Sequence, residues 1–120
     1  MAKILAVDDS ASMRQMVAFT LKAAGHTVVE AADGKQALDI AKTQSFDAVL
    51  TDVNMPIMDG LTLTKELRAL PNFKFTPILV LTTEAGMDKK QEGRAAGATG
   101  WLVKPFNPEQ LLATIRKVLG

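Results

Sequence analysis

Residues 48–63 read AVLTDVNMPIMDGLTL. Ala48–Thr51 is a short apolar run that stops on Asp52, and a proline-containing segment then leads to Gly60, where a helical pattern begins. Leu63, Leu67 and Leu70 recur at helical spacing until Pro71 ends the pattern at about Leu70. A short apolar strand, a loop and an amphipathic helix make up half of a βαβ unit. A carboxylate at the strand's end is placed where such units hold ligands.

The same order recurs on either side. Ile4–Val7 runs into Asp8 and Asp9, Ile78–Leu81 into Thr82, and Trp101–Val103 into Lys104. Thr27–Ala31 is a fifth run, with no such residue at its end. The intervening segments are helical. Ser10 or Ser12 caps the first helix, Met13, Met16, Val17, Thr20, Leu21 and Ala24 share its apolar face, and Gly25 ends it at the C′ position. Asp33 caps a second helix with Ala37, Leu38 and Ala41 on one face, running to about Gln44. The fourth helix, from Asp88 to Ala96, is weak: it has no large apolar residue, and Gly93 costs it ~1 kcal/mol relative to Ala. The fifth starts at Pro108 behind an Asn107 cap and buries Leu111, Leu112, Ile115, Val118 and Leu119. Five strands alternating with five helices predict an α/β fold: a doubly wound, flavodoxin-like parallel sheet in the order 2-1-3-4-5 with helices on both faces.

The 120 residues predict a single domain over 1–120. Fourteen Lys and Arg against thirteen Asp and Glu give a net charge of +1. With no basic run and little aromatic surface to stack bases, nucleic acid is not an expected partner. The absence of cysteine excludes disulfides and thiol chemistry. The apolar runs are too short to span a membrane, and Asp8 and Asp9 interrupt the first too soon for a signal peptide, so the expected location is the cytoplasm.

In the 2-1-3-4-5 order the first and third strands are neighbours, so Asp8, Asp9 and Asp52 meet at the switch point of the sheet. Three ionised carboxylates repel one another unless one is protonated or a cation lies between them. An all-oxygen donor set suits Mg²⁺ with a phosphate oxygen as a further ligand. Lys104 supplies a charge and Thr82 a hydroxyl for other phosphate oxygens. Asp52 is then the candidate nucleophile for in-line attack on phosphorus, giving an aspartyl phosphate. Taken singly, the aspartates read as caps, Lys104 as a solvated lysine and Thr82 as part of a Thr-Thr-Glu cap; the conjunction at four strand ends favours a site.

Asp8-Asp9, the stretch from Asp52 to Gly60, Leu81-Thr82 and Lys104-Pro105-Phe106 resemble the signature of two-component response-regulator receiver domains, of the stand-alone chemotaxis type. The resemblance spans the chain. It implies that Asp52 accepts a phosphoryl group from a histidine kinase, that Asp9, Asp52 and the backbone carbonyl of Asn54 bind Mg²⁺ directly, and that Asp8 acts through bound water. It implies that Thr82 and Lys104 contact the phosphoryl group, that side chains at 54 and 84 tune its lifetime, and that the Lys104–Pro105 peptide is cis. It also couples Thr82 to an aromatic residue on the fifth strand, here Trp101; packing alone is the other reading of that ring.

The expected function is a phosphorylation-activated switch, a monomer that catalyses its own phosphorylation and slow dephosphorylation but is no enzyme. Its helix 4–strand 5–helix 5 surface would dock on a partner, in chemotaxis the flagellar motor switch, with a phosphatase as another partner. The polar fourth helix offers a motor peptide little apolar surface, which leaves a phosphate sink or a phosphorelay carrier as alternatives. A Mg²⁺-dependent aspartyl-phosphate phosphohydrolase is a further class, but it needs an acid two residues past the nucleophile, where Asn54 stands. Flavin binding is disfavoured by the acidic crevice.

Overall fold

The computed structural model describes residues 2–83 and 87–119; Glu84 lies outside them. The strands are β1 (Lys3–Val7), β2 (Thr27–Ala31), β3 (Ala48–Asp52), β4 (Ile78–Thr82) and β5 (Gly100–Val103). The helices are α1 (Ala11–Ala23), α2 (Gly34–Ala41), α3 (Gly60–Arg68), α4 (Met87–Ala96) and α5 (Pro108–Leu119), with a 3-10 turn at Pro71–Phe73. All strand pairs are parallel and the sheet order is β2-β1-β3-β4-β5, as expected from the alternation.

Successive side chains of a strand point to opposite faces, and this sorts the core into two layers. Leu5, Val7, Val49 and Ile78 pack with Ala37, Leu38 and Ala41 of α2 and Leu63 and Leu67 of α3. Ile4, Ala6, Ala48, Leu50, Leu79 and Leu81 pack with Val17 and Leu21 of α1 and Leu111 and Ile115 of α5. Because β1, β3 and β4 are covered on both sides, their residues are almost wholly apolar and buried.

Local chemistry sets the helix ends. Ser10, not Ser12, caps α1, its Oγ accepting from the Met13 N–H at 3.3 Å. At the other end Gly25 has φ 96°, and the N–H groups of Gly25 and His26 donate to Lys22 O and Leu21 O, a Schellman closure. Gly97, with φ 106°, closes α4 in the same way through Gly97 N–H to Arg94 O and Ala98 N–H to Gly93 O. Asp33 caps α2 through Gln36 N–H at 2.8 Å, and Asn107 and Gln110 cap α5 reciprocally.

Two helices stop short of their expected ends. α2 ends at Ala41 rather than about Gln44, because the backbone N–H groups of Thr43 and Gln44 and the Thr43 hydroxyl all converge on Ile40 O. α3 ends at Arg68 rather than about Leu70: Leu70 precedes Pro71 and is extended (φ −86°, ψ 133°), as the proline ring demands.

Candidate active site

Parallel strands deliver their C-terminal residues to one edge. Asp52 ends β3, Thr82 ends β4, Asp8 and Asp9 follow β1, and Lys104 follows β5. The registers Val7–Thr51, Asp52–Leu81 and Thr82–Val103 hold these ends level. Ligand oxygens of Asp8, Asp9 and Asp52 lie within 4.8 Å of one another. Lys104 Nζ stands 3.2 Å from Asp52 Oδ1 and 3.3 Å from Asp8 Oδ2. The side chains of Lys104, Asp52 and Asp8 are 14%, 13% and 3% exposed, so this ion-paired cluster is largely withdrawn from water. Asp9 is exposed at its rim. Residues separated by almost the whole chain form one crevice.

The other expected residues are placed around it. Thr82 is buried, and its backbone carbonyl accepts from Lys104 N–H at 2.7 Å, tying β5's exit to the end of β4. The Lys104–Pro105 peptide is cis. Asn54 is exposed in the turn after β3. Trp101 is half-buried on β5 opposite Val80, with the Arg94 guanidinium 5.8 Å from its ring centroid. Met55 and Met58, partly buried, pack against the α2–α3 core layer. His26 follows the α1 closure, and its Nδ1 accepts from Ala2 N–H at 3.1 Å, a structural bond across the loop into β2.

Several residues position the crevice through contacts that the sequence did not signal. Ser10 N–H donates to Asp8 Oδ1 at 2.9 Å, orienting that carboxylate. Arg14 Nη1 donates to the backbone oxygen of Asp8 at 2.6 Å, while its Nε pairs with Glu30 at 3.3 Å, so α1 and β2 jointly hold the end of β1. Gly60 lies directly against the backbone of Asp52. A Cβ built there would collide with the Asp52 carbonyl, so only glycine lets α3 begin this close to β3. The loop between them bends at Ile57, which has φ 70° and is 78% exposed, unusual for a β-branched residue.

Burial pushes the Asp52 carboxyl above its ordinary pKa, and the neighbouring Asp8 charge adds to the rise. The Lys104 ammonium opposes it through charge and hydrogen bonding, as does the N–H of Val53, 2.9 Å from Asp52 Oδ1. A partly desolvated carboxylate with a raised pKa is a stronger nucleophile than a solvated one, and the adjacent ammonium offsets negative charge brought to it. Three convergent carboxylates are the hard oxygen donors that a divalent cation such as Mg²⁺ takes.

The response regulator receiver domain family model matches residues 4–116. This chain belongs to that family. A chemotaxis protein CheY homolog of Campylobacter jejuni is 40% identical over 120 residues, covering 98% of this chain and 92% of the relative. The crystal structure of Vibrio cholerae chemotaxis response regulator CheY4 superposes with a TM-score of 0.96 at 59% identity, covering 98% of both chains. A receiver domain of a Pseudomonas aeruginosa sensor histidine kinase, described with a magnesium ion coordinated in its active site cleft, has a TM-score of 0.92 at 33% identity, covering 99% of this chain and 98% of that one.

The chain is therefore a CheY-like receiver of two-component signalling, a family that takes phosphate from histidine kinases, and not a conventional enzyme. Receiver domains bind Mg²⁺ in an acidic site, and the aspartate cluster here is of that kind. No helix among the described residues is long and apolar enough to cross a membrane.

Proposed function

We propose that this chain is a single-domain, cytoplasmic and monomeric response regulator whose Asp52 accepts a phosphoryl group from a histidine kinase. The observation that carries the reading is the Lys104 ammonium set between Asp52 and Asp8, with Asp9 completing a three-carboxylate crevice. An Asp52 carboxylate oxygen attacks phosphorus, the P–N bond of the phosphohistidine breaks, and the electron pair leaves with the imidazole. Lys104 is placed to take one phosphoryl oxygen, and Thr82 to supply a hydroxyl to another. Asp9, Asp52 and the backbone carbonyl of Asn54 would hold Mg²⁺, with Asp8 acting through water. A bound ion would offset the charge between these carboxylates and the incoming phosphoryl group.

Phosphorylation draws Thr82 toward the new group, and Trp101 follows, which remodels the α4–β5–α5 face. Chemotaxis, with docking on the flagellar motor switch and removal of the phosphoryl group by a phosphatase, is favoured by the names of the relatives. The exposed described residues of α4, Gln91, Glu92, Arg94 and Ala95, give a docking peptide little apolar area, and a phosphate sink or relay carrier shares the same input chemistry.

Phosphotransfer from a histidine-phosphorylated kinase tests the reading. Label should move stoichiometrically to the wild-type chain in Mg²⁺ and not to Asp52→Asn. Continuous release of phosphate from small phosphomonoesters, with no labelled protein, would point to a phosphohydrolase instead.

A further inference from the structure

We propose that Arg14 is a positioning residue for the metal site. By bracing the backbone of Asp8 against Glu30 of β2, it fixes the turn that carries Asp9 and makes the crevice prefer Mg²⁺ to Ca²⁺. That Mg²⁺ occupies the crevice rests on the function proposed above; the brace rests on contacts in the structure.

β2 delivers none of the crevice residues described above, yet it holds Asp8 from two directions. Asp8 N–H donates to Ala31 O at 3.2 Å. Arg14 Nη1 donates to Asp8 O at 2.6 Å, and its Nε pairs with Glu30 Oε1 at 3.3 Å. Glu30 and Ala31 are consecutive on β2, so the contacts close a ring around the Asp8 backbone. The carboxylate is held as well, Oδ1 by Ser10 N–H at 2.9 Å and Oδ2 by Lys104 Nζ at 3.3 Å. Every polar atom of Asp8 is thus engaged, and its side chain is only 3% exposed.

The Arg14 bond matters for the residue that follows. Asp8 O belongs to the planar peptide unit joining Asp8 to Asp9, so fixing that carbonyl also fixes the direction to the Asp9 Cα. Asp9 is exposed at the rim of the crevice and takes its place from this backbone. Asp52 is held separately, by Val53 N–H and by Lys104. A guanidinium suits the brace because its planar fork reaches a carbonyl and a carboxylate at once. A pair that only stapled α1 to β2 would need the Glu30 contact alone, whereas the shorter bond here goes to the Asp8 carbonyl.

The two ions differ in what they demand of such a ligand. Mg²⁺ requires near-ideal octahedral geometry with oxygens at about 2.0–2.1 Å, while Ca²⁺ accepts oxygens at about 2.3–2.6 Å in variable arrangements. A carboxylate free to drift therefore penalises Mg²⁺ more. Charge acts in the opposite direction: removing the Arg14 cation beside an acidic cluster would by itself tighten both ions. A loss of Mg²⁺ affinity in Arg14→Met reports position and not charge.

Urea unfolding at rising MgCl₂ or CaCl₂ and constant ionic strength yields the dissociation constant of each ion from the gain in midpoint, so a lower starting stability does not enter. In Arg14→Met the Mg²⁺ affinity should fall about 10-fold, as it does when a group that orients a metal ligand is lost. The Ca²⁺ affinity should fall less, so the ratio of the two drops. Arg14→Lys keeps the charge without the fork; its ratio should drop by less, and it decides the matter if Arg14→Met does not fold. Asp9→Asn, which alters the ligand itself, should weaken both ions.

A wild-type ratio in Arg14→Met, or in Arg14→Lys if only that variant folds, overturns the brace. Tighter binding of both ions in Arg14→Met assigns the residue to charge alone and also overturns it, as does an Asp9→Asn protein with wild-type affinities. If the wild-type chain gains no stability from Mg²⁺, the metal reading itself fails and the brace with it.

Discussion

Asp52→Asn should stabilise the metal-free protein at neutral pH. At an effective dielectric of about 20, the Lys104 ammonium at 3.2 Å attracts the Asp52 carboxylate by about 5 kcal/mol. Asp8, with oxygens within 4.8 Å, repels it by about 3.5 kcal/mol, and exposed Asp9, screened by water, by about 1 kcal/mol. These contributions cancel to within about 1 kcal/mol, so the cost of burying the charge decides the sign. Burial is the main cause of the raised Asp52 pKa, which fits this balance. Asparagine keeps the shape, removes the charge and leaves Lys104 paired with Asp8 at 3.3 Å. The expected gain is about 1–2 kcal/mol, or about 0.5–1 M in the urea midpoint for a chain of this size.

The pH dependence has a definite sign. With its pKa raised above 3.8, folded Asp52 binds a proton more tightly than it does in the unfolded chain. The contribution of Asp52 to wild-type stability therefore falls as pH rises from 3.8 through the raised folded value, and stays lower above it. The advantage of Asp52→Asn should be full at neutral pH and close on acidification through that window. Urea titrations in EDTA across pH measure it. A variant no more stable than wild type at neutral pH, or a gap that widens in acid, would mean that the ion pair with Lys104 outweighs the cost of burying the Asp52 charge.

Three further perturbations follow from the same geometry. Mg²⁺ at 100 times its dissociation constant should stabilise the folded protein by about 2.7 kcal/mol, with most of the gain lost in Asp9→Asn; equal gains in thermal unfolding would remove Asp9 from the metal site. Gly60→Ala forces a methyl into the Asp52 carbonyl and should cost about 1–3 kcal/mol in urea unfolding, so an unchanged midpoint contradicts the close approach. Arg68→Met leaves Gly97 O, Phe73 O and Thr76 O without their guanidinium and should cost about 2–4 kcal/mol; a midpoint like wild type would show that water replaces it.

What was legible in the sequence was what local pattern and parallel topology determine together. The apolar runs ending on Asp8, Asp52, Thr82 and Lys104 sufficed to predict their convergence, because a parallel sheet sends every strand end to one edge. Gly25 and Asp33 announced their helix ends because capping is a local interaction. The positioning residues act over longer distances. Arg68 reaches residues 73–76, 97 and 99, and nothing near it in the chain signals those acceptors. Gly60 looked like a helix start, although its constraint comes from the strand beside it. The α4 pattern was weak because its buried described residues, Gly93 and Ala96, are too small to register as apolar periodicity.

Intact-mass measurement after incubation with Mg²⁺ and acetyl phosphate decides whether Asp52 is the phosphoacceptor. One labile phosphoryl adduct is expected on the wild-type chain, lost in acid or base as an acyl phosphate is, reduced in Lys104→Ala and absent in Asp52→Asn. An adduct that persists in Asp52→Asn, or none on the wild-type chain, would contradict that role.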